Sequence, residues 1–105
     1  MSVIVELSLF PLGAQGSLAP FVARAVDIIA ASGLSWQLGP MGTCIEGEWD
    51  EVMAVVDACF KALAADQDRV YLTIKADWRA GRTGGLSGKP ASVQTVRQVV
   101  QENKP

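Results

Sequence analysis

Two segments of the chain alternate apolar and polar residues with a period of two, and each runs beside a stretch of helical period. In residues 3 to 10, Val3, Val5, Leu7 and Leu9 point one way while Ile4, Glu6, Ser8 and Phe10 point the other. Residues 69 to 77 repeat the pattern, with Val70, Leu72, Ile74 and Ala76 against Tyr71, Thr73, Lys75 and Asp77. A strand with one wholly apolar side must bury that side under another layer, so these segments demand a sheet covered by helices.

The intervening residues supply those helices. Pro11 and Gly13 to Gly16 end the first strand, Ser17 is a suitable N-cap, and Pro20 is tolerated in a first turn. Leu18, Phe21, Val22, Ala25, Val26 and Ile29 then recur at helical spacing until Gly33 stops the helix. Two short strands follow, Leu34 to Leu38 and Thr43 to Glu46, with Pro40, Met41 and Gly42 as the turn between them. The acidic run Glu48-Trp49-Asp50-Glu51 suits the positive end of a second helix, whose stripe is Val52, Val55, Val56, Cys59 and Leu63 and which ends near Ala65. After the last strand a glycine-rich connection is expected from Arg79 to Pro90, then a short helix capped by Ser92 and carrying Val93, Val96, Val99 and Val100.

The order strand, helix, strand, strand, helix, strand is the split βαβ signature of a ferredoxin-like α+β sandwich. The expectation is one domain spanning residues 1–105, with a four-stranded antiparallel sheet, two helices over its apolar face and an extra C-terminal helix. The first and last strands are expected not to be immediate neighbours, so that their polar sides line a broad surface.

Composition narrows the function. Half of the residues are hydrophobic and the net charge is -2, which argues against disorder and against a nucleic-acid surface, for which clustered Lys and Arg are needed. Every apolar run is interrupted before roughly 18 residues, so no membrane span is expected. The first residues carry no basic n-region, and a cytoplasmic protein is the simplest expectation. Cys44 and Cys59 form no CxxC pair and there is no histidine, which excludes a thiol–imidazole metal site. Any enzyme built on this chain must use Glu, Asp, Lys, Tyr or Cys for proton transfer.

Other motifs read blandly. Gly84 to Pro90 fails as a phosphate loop, because Thr83 stands where the first glycine is required and Pro90 where Ser or Thr would meet magnesium. Glu46, Glu48, Asp50 and Glu51 read as helix-start chemistry more readily than as a metal cluster. Both cysteines read as buried or half-buried thiols, and Trp36, Trp49 and Trp78 as packing anchors.

The sheet side left open by the helices would show Ile4, Glu6, Ser8 and Phe10 together with Tyr71, Thr73, Lys75 and Asp77. One desolvated cation–π contact contributes ~2 kcal/mol and one charge-assisted hydrogen bond about 1.5–3 kcal/mol. Together they approach roughly millimolar affinity, about 4 kcal/mol. Tighter binding needs enclosure, which two such sheets meeting face to face in an oligomer would provide.

The stretches Ser2 to Leu12, Gly39 to Val52 (Gly-Pro-Met-Gly-Thr above all), Arg69 to Lys75 and Gly88 to Val93 resemble the small YkoF-like thiamine-binding proteins over nearly the whole chain. Cys44, where an aliphatic residue is expected, and the loop around Thr83 to Leu86 depart from the pattern. The resemblance implies a ferredoxin-like subunit assembling as a homotetramer, a dimer of dimers. It implies thiamine or its hydroxymethylpyrimidine portion as ligand, held in the oligomer without turnover and with no other cofactor. On this sequence, Glu6 or Glu46 would accept from the amino group or neutralise the thiazolium. Ser8, Thr43 and Thr73 would hydrogen-bond the pyrimidine, and Phe10 or Tyr71 would stack on a ring. Gln37, Gly39 and Gly42 complete the expected ligand-binding set, the glycines letting backbone come close. The rival readings are a small enzyme using Glu6 or Glu46 as base, and a regulatory module whose sheet face engages another protein.

Overall fold

The computed structural model describes residues 2–81 and 83–102, the Lys89 side chain excepted. Four strands and three helices follow in the order β1 (Val3–Pro11), α1 (Ala19–Ala31), β2 (Ser35–Leu38), β3 (Thr43–Gly47), α2 (Trp49–Ala64), β4 (Val70–Trp78) and α3 (Gly85–Glu102). The strands form one sheet in the order β2-β3-β1-β4, with every neighbouring pair antiparallel, which is the ferredoxin-like arrangement. Contrary to the sequence expectation, β1 and β4 are immediate neighbours, paired from Val3 opposite Trp78 to Pro11 opposite Val70. The crossover through α2 returns the chain to the free side of β1, so the two long alternating strands form a single ladder.

The alternation of β1 sets the core. Val3, Val5, Leu7 and Leu9 are buried with Ile45 of β3, beneath Ala25 and Ile29 of α1 and Val52, Val56, Cys59 and Leu63 of α2. The cap position of α1 falls on Leu18, whose side chain cannot accept a hydrogen bond, and not on the expected Ser17, whose hydroxyl accepts from the Ala19 N–H at 3.1 Å. Gly33 at φ +79° lets the chain reverse after α1, as the sequence leads one to expect. The Arg24 guanidinium donates to the Ala62 carbonyl at 2.6 Å and pairs with Asp66 at 3.2 Å, tying α1 to the end of α2. Its hydrogen bond also holds the Asp66 carboxyl below the usual carboxylate range.

Helix cover stops short of the β4 edge. Val70 and Leu72 pack against the core, whereas Ile74, Ala76 and Trp78, on the same side of the strand, are exposed. Two helices span only the middle of a four-stranded sheet, so the far half of an edge strand stays uncovered. The three tryptophans are correspondingly not packing anchors within the chain: Trp36, Trp49 and Trp78 are 38%, 51% and 56% exposed.

The C-terminal helix also differs from expectation. It begins at Gly85, takes in Pro90 and places Ser92 in its interior. Gly84 at φ +68° turns the chain, and the Glu46 carboxylate receives the first amides of the helix, an anchor that no local propensity reveals. Pro90 has no N–H to give the Leu86 carbonyl and its ring crowds that oxygen, so it disfavours the helix at this point. Beyond its first turn α3 leaves the body, with Val93, Val96, Val99 and Val100 all at least half exposed. The radius of gyration is accordingly 16.5 Å, against about 13 Å for a compact chain of this length.

Ile29→Ala, which empties a fully buried site between α1 and the sheet, is expected to cost about 2–5 kcal/mol. Urea unfolding monitored by circular dichroism measures it, and a loss under about 1 kcal/mol would contradict the packing described.

Candidate functional site

Directly opposed residues of an antiparallel sheet share a face, so the register fixes what the open side displays. Gln37, Cys44, Glu6 and Lys75 form one row across all four strands. Ser35, Glu46, Ile4 and Asp77 form the next row, while Ser8 faces Thr73 and Phe10 faces Tyr71. Glu6 stands in the middle of its row, with Lys75 Nζ 3.8 Å from Oε1 and the Cys44 thiol 4.0 Å from Oε2. Burial, and then the Glu6 charge, push the Cys44 thiol pKa up. The Phe10 and Tyr71 rings lie 5.7 Å apart at 31°, a tilted pair across the strands.

A recess opens where β3 ends. Its ladder with β1 stops at Leu7 opposite Thr43, while β1 runs on to Pro11. The turn of residues 39–42, closed by the Gly39 N–H donating to the Gly42 carbonyl at 2.9 Å, folds beside the unpaired end of β1. Between this turn, β1 and α1 lies a cavity of about 380 Å³. Five of the expected ligand-binding residues line it: Ser8, Phe10, Gly39, Gly42 and Thr43. Most of the remaining wall is apolar and includes Leu9, Leu18, Val22, Leu38 and Met41. At Gly42 an added Cβ would lie 3.0 Å from the Leu7 carbonyl oxygen and 3.1 Å from Glu6 Cγ, so this glycine lets the turn close against both. Glu6 thus borders the turn from the open face.

The remaining candidates lie elsewhere. Tyr71 and Thr73 are on β4, across β1 from the turn. Gln37 and Glu46 line a separate hollow of about 490 Å³ beside Gly84 and Leu86. There the buried Glu46 carboxylate accepts from Ser2 Oγ at 2.9 Å, from the Gly85 N–H at 2.8 Å and from the Leu86 N–H at 3.2 Å. It binds the positive end of α3 to the sheet. Among the described residues, no group of His, Cys, Asp and Glu is arranged to hold a metal ion, and no helix is long and apolar enough to cross a membrane.

Sequence reading missed the apolar wall. Leu18 and Val22 carry the same signal as core residues, because a helix stripe does not reveal that its first turn overhangs a gap. Lys75 beside Glu6 was legible only once β1 and β4 were known to be neighbours.

Fold and site together define a ferredoxin-like α+β domain with an apolar recess at one end of its sheet and a carboxylate on the open face. The chain belongs to the thiamine-binding protein family, whose model matches residues 5–94. A UPF0045 protein of Mycobacterium bovis is 43% identical over 95 residues, covering 90% of this chain and 93% of its own. The solved structure of a hypothetical protein from Methanocaldococcus jannaschii superposes with a TM-score of 0.82 at 27% identity, covering 89% of this chain and 96% of its own. A candidate thiamine biosynthesis/salvage protein of Thermotoga maritima superposes at 0.75, also at 27% identity, over 87% of this chain and 99% of its own.

Glu46→Ala leaves the first amides of α3 without their acceptor and is expected to cost about 1–3 kcal/mol. Hydrogen exchange at Gly85 and Leu86 should quicken while the Ile29 amide keeps its protection. Unchanged exchange at Gly85 would show that Glu46 does not anchor the helix. The thiols offer a second check. Burial pushes the Cys59 thiol up to about 11, so in the folded protein it stays protonated at pH 8. Iodoacetamide at that pH should alkylate the half-buried Cys44 first and reach Cys59 only in denaturant, which peptide mass spectrometry reads directly.

Proposed function

We propose that this protein binds thiamine, or its hydroxymethylpyrimidine portion, without turning it over, and serves to sequester, sense or deliver it. The observation that carries the reading is the cavity at the end of β3, which gathers Ser8, Phe10, Gly39, Gly42 and Thr43 around an apolar space of about 380 Å³. A volume of that order suits a small organic molecule, and an apolar wall with a few polar groups is the usual make-up of such a site. The aminopyrimidine ring occupies the recess with Thr43 as a hydrogen-bond partner, and Ser8 and Phe10 meet the ligand where the recess reaches the open face. The thiazolium extends past Gly42 toward the open face, where Glu6 offsets its charge. Tyr71, Thr73 and Gln37 meet ligand or partner sheet on that face.

The working unit in this reading is a homo-oligomer, a dimer of dimers in the cytoplasm, with the open face of one subunit closed by another. The exposed Tyr71 and the valines of α3 support it, since apolar side chains left in water are favourably covered. Family membership and the absence of histidine favour binding over catalysis. Glu46 accepts from Ser2 and from the first amides of α3 and is assigned to folding in this reading.

Calorimetric titration of wild type and Glu6→Gln with thiamine and with hydroxymethylpyrimidine separates the two halves of the site. Losing one charge contact is expected to weaken thiamine about tenfold and to leave the uncharged pyrimidine unaffected. Equal thiamine affinities would remove Glu6 from the site; no heat with either ligand would end the proposal. Mass spectrometry after prolonged incubation should return thiamine intact, and a new product mass would make the protein an enzyme.

A further inference from the structure

β4 ends the sheet on the side away from β2, so one of its edges has no strand beside it. Backbone groups of successive strand residues face opposite neighbours. Leu12 donates its N–H to the Arg69 carbonyl at 2.9 Å, and the ladder with β1 continues unbroken to Val3 opposite Trp78. The odd-numbered residues of β4 therefore turn their N–H and C=O groups toward β1. Val70, Leu72, Ile74, Ala76 and Trp78 turn theirs outward. Such an edge is a template for another chain unless proline, a bulge or short length blunts it. β4 has none of these over its nine residues. Its second half is also bare on the helix side, where Ile74, Ala76 and Trp78 are exposed. On the open side the same half carries Lys75 and Asp77, charges of opposite sign on the same face of the strand.

We propose that the outer edge of β4 pairs antiparallel with the same edge of a second copy of this chain, with Ala76 on the two-fold axis, so that two sheets become one. Charge chooses the register. With Ala76 at the centre, Lys75 faces the partner's Asp77 and Asp77 faces the partner's Lys75. These are the positions of the ladder at which opposed side chains come closest. Moving the centre by a single residue sets Lys75 against the partner's Lys75, or Asp77 against the partner's Asp77, and like charges directly opposite are destabilising. On the helix side the same register sets Ile74 against the partner's Trp78 and Trp78 against the partner's Ile74, so each exposed apolar group covers another. The N–H groups of Ile74, Ala76 and Trp78 find carbonyl acceptors across the axis. The overlap is confined to the second half of the strand, the part that the chain's own helices leave bare. Lys75 keeps Glu6 within 3.8 Å on its other side, so it lies between two carboxylates. The inference goes beyond the ligand reading, since it adds an edge contact to the face-to-face one and does not depend on what the cavity holds.

Amide hydrogen exchange of the wild-type protein, read residue by residue by NMR, tests the pairing. An unpaired edge makes β4 alternate, with Tyr71, Thr73, Lys75 and Asp77 slow and their even-numbered neighbours fast. Pairing is expected to slow Ile74, Ala76 and Trp78 as well, and to leave Leu72 fast because it lies beyond the partner's strand. Alternation along the whole strand would overturn the inference, and thiamine binding by that same sample would leave the ligand reading standing. Ala76→Pro removes an N–H that the ladder with β1 does not use. It is expected to return Ile74 and Trp78 to fast exchange and to weaken self-association about tenfold or more in sedimentation equilibrium; unchanged association would count against the edge contact. The register is read by mixing Lys75→Cys chains with Asp77→Cys chains under mild oxidation. Directly opposed residues of this kind have Cα atoms about 4.5 Å apart, within disulfide reach. Peptide mass spectrometry should find the two variants linked to each other at positions 75 and 77. Absence of that link, or Lys75→Cys chains linked to themselves at position 75, would overturn the pairing about Ala76.

Discussion

The pairing of β1 with a neighbour on each edge is the constraint from which the rest of the architecture follows. Its odd-numbered side chains are buried under both helices, and its even-numbered ones supply the centre of the open face. A slip of one residue would exchange the two sets, placing Glu6 in the core and Leu7 in water, so the register is strongly specified. The same register places Glu6 between Cys44 and Lys75, and it leaves the last part of β1 without a strand partner on the β3 side. Core, charged face and cavity are three consequences of one strand's position.

The cavity arises from unequal lengths. β1 and β4 each run nine residues, whereas β3 runs five. On the β4 side β1 is paired to its end. On the β3 side the last part of its edge is left to the turn and α1, which approach it without filling the gap. The turn comes so close to Leu7 and Glu6 because Gly42 has no side chain. A ligand entering there meets a rigid floor, since β1 is held from its other edge by a complete ladder. Such preorganisation reduces the ordering that binding would otherwise require.

Much of this was legible in the chain. The period-two runs located β1 and β4, helical stripes located α1 and α2, and the order of elements implied the ferredoxin-like sandwich. What failed did so for identifiable reasons. Gly84, Gly85 and Pro90 were read as breakers, but a buried carboxylate 39 residues away in sequence receives the first amide of α3. Ile74 and Ala76 were expected on the covered side of the sheet, yet strand alternation says which side a residue takes and not whether anything covers it. Of the site, Ser8, Phe10, Gly39, Gly42 and Thr43 were named and meet at one recess. Glu46 was grouped with them by charge alone, which cannot distinguish a carboxylate offered to a ligand from one already holding a helix. The apolar wall escaped notice because its residues obey the core pattern.

The two kinds of recognition on this sheet have different reach. Glu6 is partly open to water and lies 3.8 Å from Lys75, so its attraction for a cation is shared and screened. It can bias affinity toward a positively charged molecule but cannot define the shape of one. Polar groups enclosed by a mostly apolar wall discriminate more sharply, because any molecule that fails to match them must leave a dehydrated polar group unmet. The open face and the cavity therefore answer to different changes: side-chain drift alters the charge of the first, whereas the second exists only while β3 stays shorter than β1.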